Sequence, residues 1–177
     1  MGSKGAKGSK RPRFDVPQVD AFTRTYWDAA AEGRLLLRRC GACGRAHHYP
    51  REFCPHCWSE DVTWEPASGR AALYTWSVVH RNDLPPFGER TPYVAAVVDL
   101  AEGPRMMTEI VECGEGELRV GMELEVTFRG GGEDRGGEDR GGGEDRGGED
   151  RGVGEGGEAG EVGDIGDVAV PVFRPRG

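Results

Sequence analysis

Four cysteines in two pairs, Cys40-Gly-Ala-Cys43 and Cys54-Pro-His-Cys57, constrain this 177-residue chain more than any other feature. Each Cys-x-x-Cys knuckle aims two thiolates at one point, and a short hairpin between the pairs brings the two points together. Four sulfurs then surround a soft, tetrahedral ion, for which Zn²⁺ is the first expectation. Gly41 and Gly44 let the first knuckle turn tightly, and Pro55 stiffens the second. Rival readings exist. A disulfide framework needs an oxidising compartment, and no secretory leader is visible. A redox pair normally comes singly, between a strand and a helix. A four-thiolate iron site is chemically allowed. A catalytic zinc keeps one position open for water, so four thiolates point instead to a closed, structural site. His47, His48 and His56 are alternative ligands, but four cysteines already fill a tetrahedron. The three histidines are therefore expected to be polar surface residues.

Hydrophobic residues make up only 36% of the chain, and the deficit is local. Gly-Gly-Glu-Asp-Arg occurs four times between Gly131 and Arg151, with one extra glycine at Gly141. The repeat has no apolar residue and cannot build a solenoid core. It predicts a solvated, flexible insertion running on to Asp167. Calcium binding there is disfavoured, because the spaced ligands of calcium loops are missing. Residues 1–13 carry five cations and no acid, whereas 131–167 carry thirteen acids against four arginines. The body between them is also acidic, which suits a phosphate backbone poorly. The Gly/Ser/Lys-rich start reads as a disordered tag or linker. The longest clean apolar run, Tyr93 to Val98, is far too short to span a bilayer, so a cytoplasmic protein without a membrane anchor is expected.

Along the chain, Asp20 to Glu32 reads as a helix, with Phe22, Tyr26, Trp27 and Ala30 on one stripe, Asp20 as cap and Gly33 as stop. The aromatic stripe suits packing on its own domain or on another subunit. Leu35-Leu36-Leu37 enters the cysteine hairpin as a strand. Tyr49, Pro50 and Phe53 are expected to cover the small core of that hairpin, whose folding leans on the metal. After Trp64 the pattern turns to strands: Leu73–His80, Tyr93–Leu100, Arg105–Glu112, Glu123–Arg129 and Val168–Phe173. Pro171 suggests an edge position for the last. Five strands in about a hundred residues suggest a small antiparallel barrel of the OB type, with an SH3-like or single-sheet arrangement as the alternative. Cys113 reads as a free thiol near a turn.

The order of these features carries a resemblance. Tyr26-Trp27, Cys40-x-x-Cys43, Pro50-Arg51, Cys54-Pro-x-Cys57, Trp64, Ser68-Gly69-Arg70, Pro92-Tyr93-Val94, Gly121-Met122 and Pro171-Val172-Phe173 resemble the zinc-ribbon and OB-fold family once labelled domain of unknown function number thirty-five. The match covers about Phe14 to Arg129 and the last ten residues. Trp58, where the family often has glycine, and the Gly-Glu-Asp-Arg insertion depart from it. The resemblance implies a mainly β chain. The expected division is 1–13 as a disordered tag or linker, 14–34 as an N-terminal helix, 35–66 as a rubredoxin-like zinc ribbon and 67–177 as a five-stranded OB-fold barrel with a flexible insertion at 130–167. Cys40, Cys43, Cys54 and Cys57 would hold a structural Zn²⁺.

Members of this family resemble helpers of thiolase-fold enzymes that act on acyl-CoA thioesters. One branch is joined to a hot-dog hydratase domain in steroid side-chain degradation. It pairs there with a lipid-transfer-protein-like thiolase homologue. That heteromeric pair cleaves a β-hydroxyacyl-CoA by retro-aldol reaction and releases propionyl-CoA. The chain offers no convincing set for that chemistry. His80 is a lone histidine at a strand end, so the catalytic residues are expected on the partner. Arg38, Arg39, Arg51, Arg70 and Arg81, and the loop 82–92 with Phe87, are candidates for contact with CoA, although exposed arginines are also ordinary surface. The alternatives are an accessory subunit of an acyl-CoA thiolase or acyltransferase, a self-sufficient metalloenzyme, and a nucleic-acid module. For the last, alternation would put Tyr74 and Trp76 on one face to stack bases.

Overall fold

The structure, a computed structural model, describes residues 17–130 and 168–177. The expectations for the N-terminal linker and for the Gly-Glu-Asp-Arg repeats fall outside the described residues.

The chain first builds helix α1, Arg24–Ala31. Asp20 acts one turn earlier than the helix itself. Its Oδ1 accepts the Thr23 N–H at 2.7 Å, and Thr23 Oγ1 accepts the Asp20 N–H at 3.1 Å, a reciprocal box that sets the entry turn. The Thr23 N–H is the main reason that the Asp20 carboxyl lies below its ordinary range. At the other end Gly33 adopts φ +77°, its N–H donates to Ala30 O, and the Arg34 N–H donates to Ala29 O at 2.8 Å. That pair of bonds is a Schellman stop, which needs a residue free to take positive φ. The aromatic stripe is spent within the chain: Tyr26 is buried, and Phe22 and Tyr26 both lie near Trp64.

Three strands form the ribbon: β1 Leu36–Cys40, β2 Ala46–His47 and β3 Val62–Pro66, with β1 central and both neighbours antiparallel to it. Arg38 pairs with His47 on one side and with Trp64 on the other. The expected cover residues do not cover. Tyr49 is 56% exposed and Phe53 36%, whereas His47 is buried and His48 half-buried. The two histidines, expected at the surface, fill the interior because β2 turns His47 inward beside β1. The chain then leaves the sheet with Tyr49 outward.

The remaining strands close a barrel in the order β4-β5-β6-β8-β7: β4 Arg70–Val79, β5 Tyr93–Leu100, β6 Arg105–Ile110, β7 Glu123–Gly130 and β8 Ala169–Pro175. β6 and β8 are parallel and all other neighbours antiparallel, which gives a five-stranded OB barrel. Strand β5 alternates strictly, with Val94, Ala96, Val98 and Leu100 inward. These pack with Leu73, Met106, Ile110, Leu124 and the fully buried Phe173. The same apolar cluster runs on through Leu35, Leu36, Leu37 and Tyr26, so ribbon, helix and barrel share one core.

Two expectations fail here for local reasons. β8 lies between β6 and β7, so Pro171 is not on an edge strand. It is tolerated because β6 and β8 pair only at Ile110↔Phe173. Two residues earlier β8 needs no N–H toward β6, and the Thr108 hydroxyl donates to the Pro171 carbonyl at 3.2 Å instead. Tyr74 and Trp76 do not share a face. The register slips between Leu73↔Val98 and Thr75↔Val97, so Tyr74 is the extra residue of a bulge. Trp76 then pairs with the inward Ala96 and packs on the core, while Tyr74 stays outside beneath the Arg105 guanidinium.

Candidate metal centre

The two knuckles are built alike, bond for bond. The Cys40 N–H donates to Arg45 O at 3.0 Å, and the Cys54 N–H to Ser59 O at 2.9 Å. The Gly44 N–H donates to Cys40 O, and the Trp58 N–H to Cys54 O, both at 2.9 Å. Each turn ends on a left-handed residue, Gly44 at φ +72° and Trp58 at φ +62°. A glycine takes this backbone freely and a tryptophan does not.

The knuckles bring all four sulfurs within 4.8 Å of one another. Cys40 Sγ lies 3.6 Å from Cys57 Sγ, and Cys43 Sγ 3.7 Å from Cys54 Sγ. A tetrahedron with zinc–sulfur bonds of about 2.3 Å has edges of about 3.8 Å, so the spacing fits a zinc ion. It does not fit disulfides, whose sulfurs lie about 2.05 Å apart. Backbone donors face the sulfurs: the Cys43 N–H reaches Cys40 Sγ at 3.5 Å and the His56 N–H reaches Cys54 Sγ at 3.4 Å. The Cys43 N–H is the main influence that draws the Cys40 thiol down to about 7. Cys57 moves the other way, to about 12. The Ser59 N–H acts to lower it, but desolvation and the crowded thiols outweigh that donor. Four thiolates this close cannot coexist without a cation among them. Cys40 and Cys54 are buried and Cys43 and Cys57 exposed, so the site sits at the tip of the ribbon.

None of the three histidines joins the sulfur cluster. His56 lies outside it, 3.5 Å from Arg45 Nη1. His47 is sealed in the ribbon, and desolvation first, then the nearby Arg38 charge, lowers its pKa. His48 Nε2 lies 3.2 Å from the Tyr26 hydroxyl, while its Nδ1 has no partner among the described residues.

The five arginines that the sequence offers for CoA do not converge. Arg38 is a core residue: it is 8% exposed, its guanidinium lies 4.7 Å from the Trp64 ring centroid and 5.6 Å from that of Phe22, and Nη2 donates to Val62 O at 3.0 Å. Arg39 is held by Glu65 and Arg81 by Asp83. Arg51 lies exposed between the knuckles and Arg70 opens β4. His80 is exposed just beyond β4. Burial, first, and Glu117 push the Cys113 thiol up, away from reactivity.

Sequence reasoning missed a groove of about 550 Å³ between α1, the ribbon and the outer face of the barrel. Tyr26, Trp27, His48, Phe87, Tyr93, Met107 and Val170 line it, so the 82–92 loop does contribute a pocket wall through Phe87. Glu109 stands in it, paired with Arg129 at 2.9 Å. The signal was in β5, where the outward Tyr93, Ala95 and Val97 are also apolar. A strand that is apolar on both faces has a covered outer face. Among the described residues no helix is long and apolar enough to cross a membrane.

Comparison with known proteins places this geometry. Residues 27–63 match the family model of the rubredoxin-like zinc ribbon domain of ChsH2, and residues 64–129 match that of the ChsH2 C-terminal OB-fold domain. The chain is 37% identical over 112 residues to a probable enoyl-CoA hydratase alpha subunit of Thermomonospora curvata, covering 63% of this chain and 34% of that one. It therefore spans about a third of that relative's length. It is 35% identical over 125 residues to the benzoylsuccinyl-CoA thiolase subunit BbsA of Geobacter metallireducens, covering 67% of this chain and 80% of that one. Among solved structures it is similar to the Ltp2-ChsH2(DUF35) aldolase, with a TM-score of 0.61 and 27% identity over 90% of this chain and 98% of that one. With residues 27–129 matched by the two family models in succession and the four-thiolate ribbon pinned to an OB barrel, the chain belongs to the DUF35 family.

Proposed function

We propose that this chain is the accessory, partner-stabilising subunit of a thiolase-fold acyl-CoA aldolase. The likeness to the Ltp2-ChsH2(DUF35) aldolase over 98% of that chain carries the reading. The partner is a lipid-transfer-protein-like thiolase homologue, and the pair works in the cytoplasm. Its reaction is retro-aldol cleavage of a steroid side-chain β-hydroxyacyl-CoA, with release of propionyl-CoA. Such a cleavage needs a base for the hydroxyl proton and donors for the thioester enolate. The partner supplies these groups, and this chain completes the assembly and helps to hold the CoA thioester.

Cys40, Cys43, Cys54 and Cys57 hold one Zn²⁺, whose part is to supply folding energy to the ribbon. The shared core extends that rigidity from the ribbon into α1 and the barrel. A second reading, an accessory subunit of an acyl-CoA thiolase, is favoured by the 35% identity to BbsA over 80% of that subunit. Co-expression with a thiolase-fold protein encoded nearby, followed by gel filtration, tests both. One co-eluting species is expected, and two separate species overturn the proposal. Assay of the purified complex for aldol cleavage against thiolytic cleavage then separates the two readings.

A further inference from the structure

We infer that the tip of the second knuckle, the stacked pair Phe53–Trp58 with Glu52 and Glu60 beside it, is a docking point for a basic side chain of the partner subunit. Trp58 is 74% exposed, the most exposed of the large apolar side chains among the described residues. It also holds φ +62°, where its counterpart in the first knuckle is the glycine Gly44. Both features work against the stability of the isolated chain. An indole left 74% exposed buries little apolar surface, and a left-handed backbone disfavours a side chain with a Cβ. A residue unfavourable on both counts is explained by something outside the fold.

The geometry says what that is. The Phe53 and Trp58 rings stack with centroids 5.3 Å apart and planes inclined by 20°. The backbone beneath Trp58 is set by its N–H to Cys54 O bond at 2.9 Å, on the cysteine turn itself. The pair is an exposed aromatic platform on a metal-knuckle turn, the kind of anchor that dominates binding energy at protein interfaces. Next to it, Phe22, Arg38, Glu52, Phe53 and Glu60 line a depression of about 420 Å³. Glu52 and Glu60 are exposed there, and among the described residues neither forms an ion pair within 4.0 Å. Two carboxylates beside an aromatic platform favour an arginine or lysine, held by charge and by the ring faces. They disfavour a nucleic-acid backbone.

The inference rests on the proposed assembly, and its test is arranged to tell the two apart. The affinity of wild-type chain for the co-expressed thiolase-fold subunit is compared with that of Trp58→Gly, Trp58→Asn and the double variant Glu52→Lys/Glu60→Lys. Glycine and asparagine both accept positive φ, so zinc content should be kept and Tm should move by less than about 4 °C. The affinity of each variant should fall at least tenfold, and the glutamate variant should also lose much of the salt dependence of binding. Wild-type affinity in all three variants overturns the docking point and leaves the assembly standing. A large fall in Tm in both Trp58 variants overturns it too, because Trp58 would then be serving the fold. Failure of the wild-type chain to bind removes the assembly and the docking point together.

Discussion

The Tyr26–His48 pair makes a pH prediction that can be worked through. Burial first, and the neighbouring His47 second, push the His48 imidazole down to about 4. In the unfolded chain it returns to about 6.5. The folded value is the lower one, so the fold holds the ring neutral. As pH falls from about 6.5 to about 4, the unfolded state takes up a proton that the native state refuses, and stability is lost across that window. At about 1.4 kcal/mol per pH unit the loss approaches about 3 kcal/mol, a large part of the stability of a small domain. The structure supplies the reason. The Tyr26 phenol, itself raised by burial, stays protonated and shares a hydrogen bond of 3.2 Å with Nε2 of the neutral ring. Nδ1 has no partner among the described residues, so an imidazolium would be buried with that N–H unpaired and with no carboxylate against it. Urea unfolding at saturating zinc from pH 7 to 4.5 should show this slope, and His48→Phe should lose the larger part of it, leaving what the likewise lowered His47 contributes, even if its stability at pH 7 is lower. The His48 ring proton followed by NMR gives the pKa directly. A titration near 6.5, or the same slope in His48→Phe, would refute the account of the buried pair.

Two further outcomes follow from the core and the ribbon. Cys54→Ser should lose about one zinc per chain and unfold the ribbon, read as metal content and amide-exchange protection over β1–β3; a folded, metal-free variant that still assembles would show the quartet to be dispensable. Arg38→Met, which keeps the apolar stem between Trp64 and Phe22 and removes a buried charge, should change stability by less than about 1.5 kcal/mol, while Arg38→Ala should cost about 2–5 kcal/mol through the cavity. Equal losses in the two variants would show that the charge, not the packing, matters.

Much of this molecule is legible in one dimension, and the exceptions share a cause. The cysteine spacing announces a metal knuckle because the chemistry is local: each pair lies within one turn. Strand β5 is legible because an apolar run bounded by turns has few other uses, and its predicted limits, Tyr93 and Leu100, are the observed ones. Pattern fails where a neighbour distant in sequence decides. The bulge at Tyr74 is set by its pairing with β5 and by bonds from Leu73 to Gly121 and Met122, so alternation alone misassigns Trp76. Pro171 signals an edge, but a strand that pairs at only one position on one side accepts it. Arg38 looks like a surface cation because nothing in its own segment reveals that Phe22 and Trp64 will enclose it. His47 and His48 look polar for the same reason. The left-handed turn at Trp58 is not legible in its own segment, because a tryptophan gives no signal of positive φ; it shows only in the match of its turn to that of Gly44.

Cleavage activity divided between the subunits tests the central claim most directly. The thiolase-fold partner, this chain and their mixture are each given a β-hydroxyacyl-CoA, and release of propionyl-CoA is followed. The account predicts no turnover by this chain alone and full turnover only in the zinc-loaded complex. Turnover by this chain without a partner would contradict it.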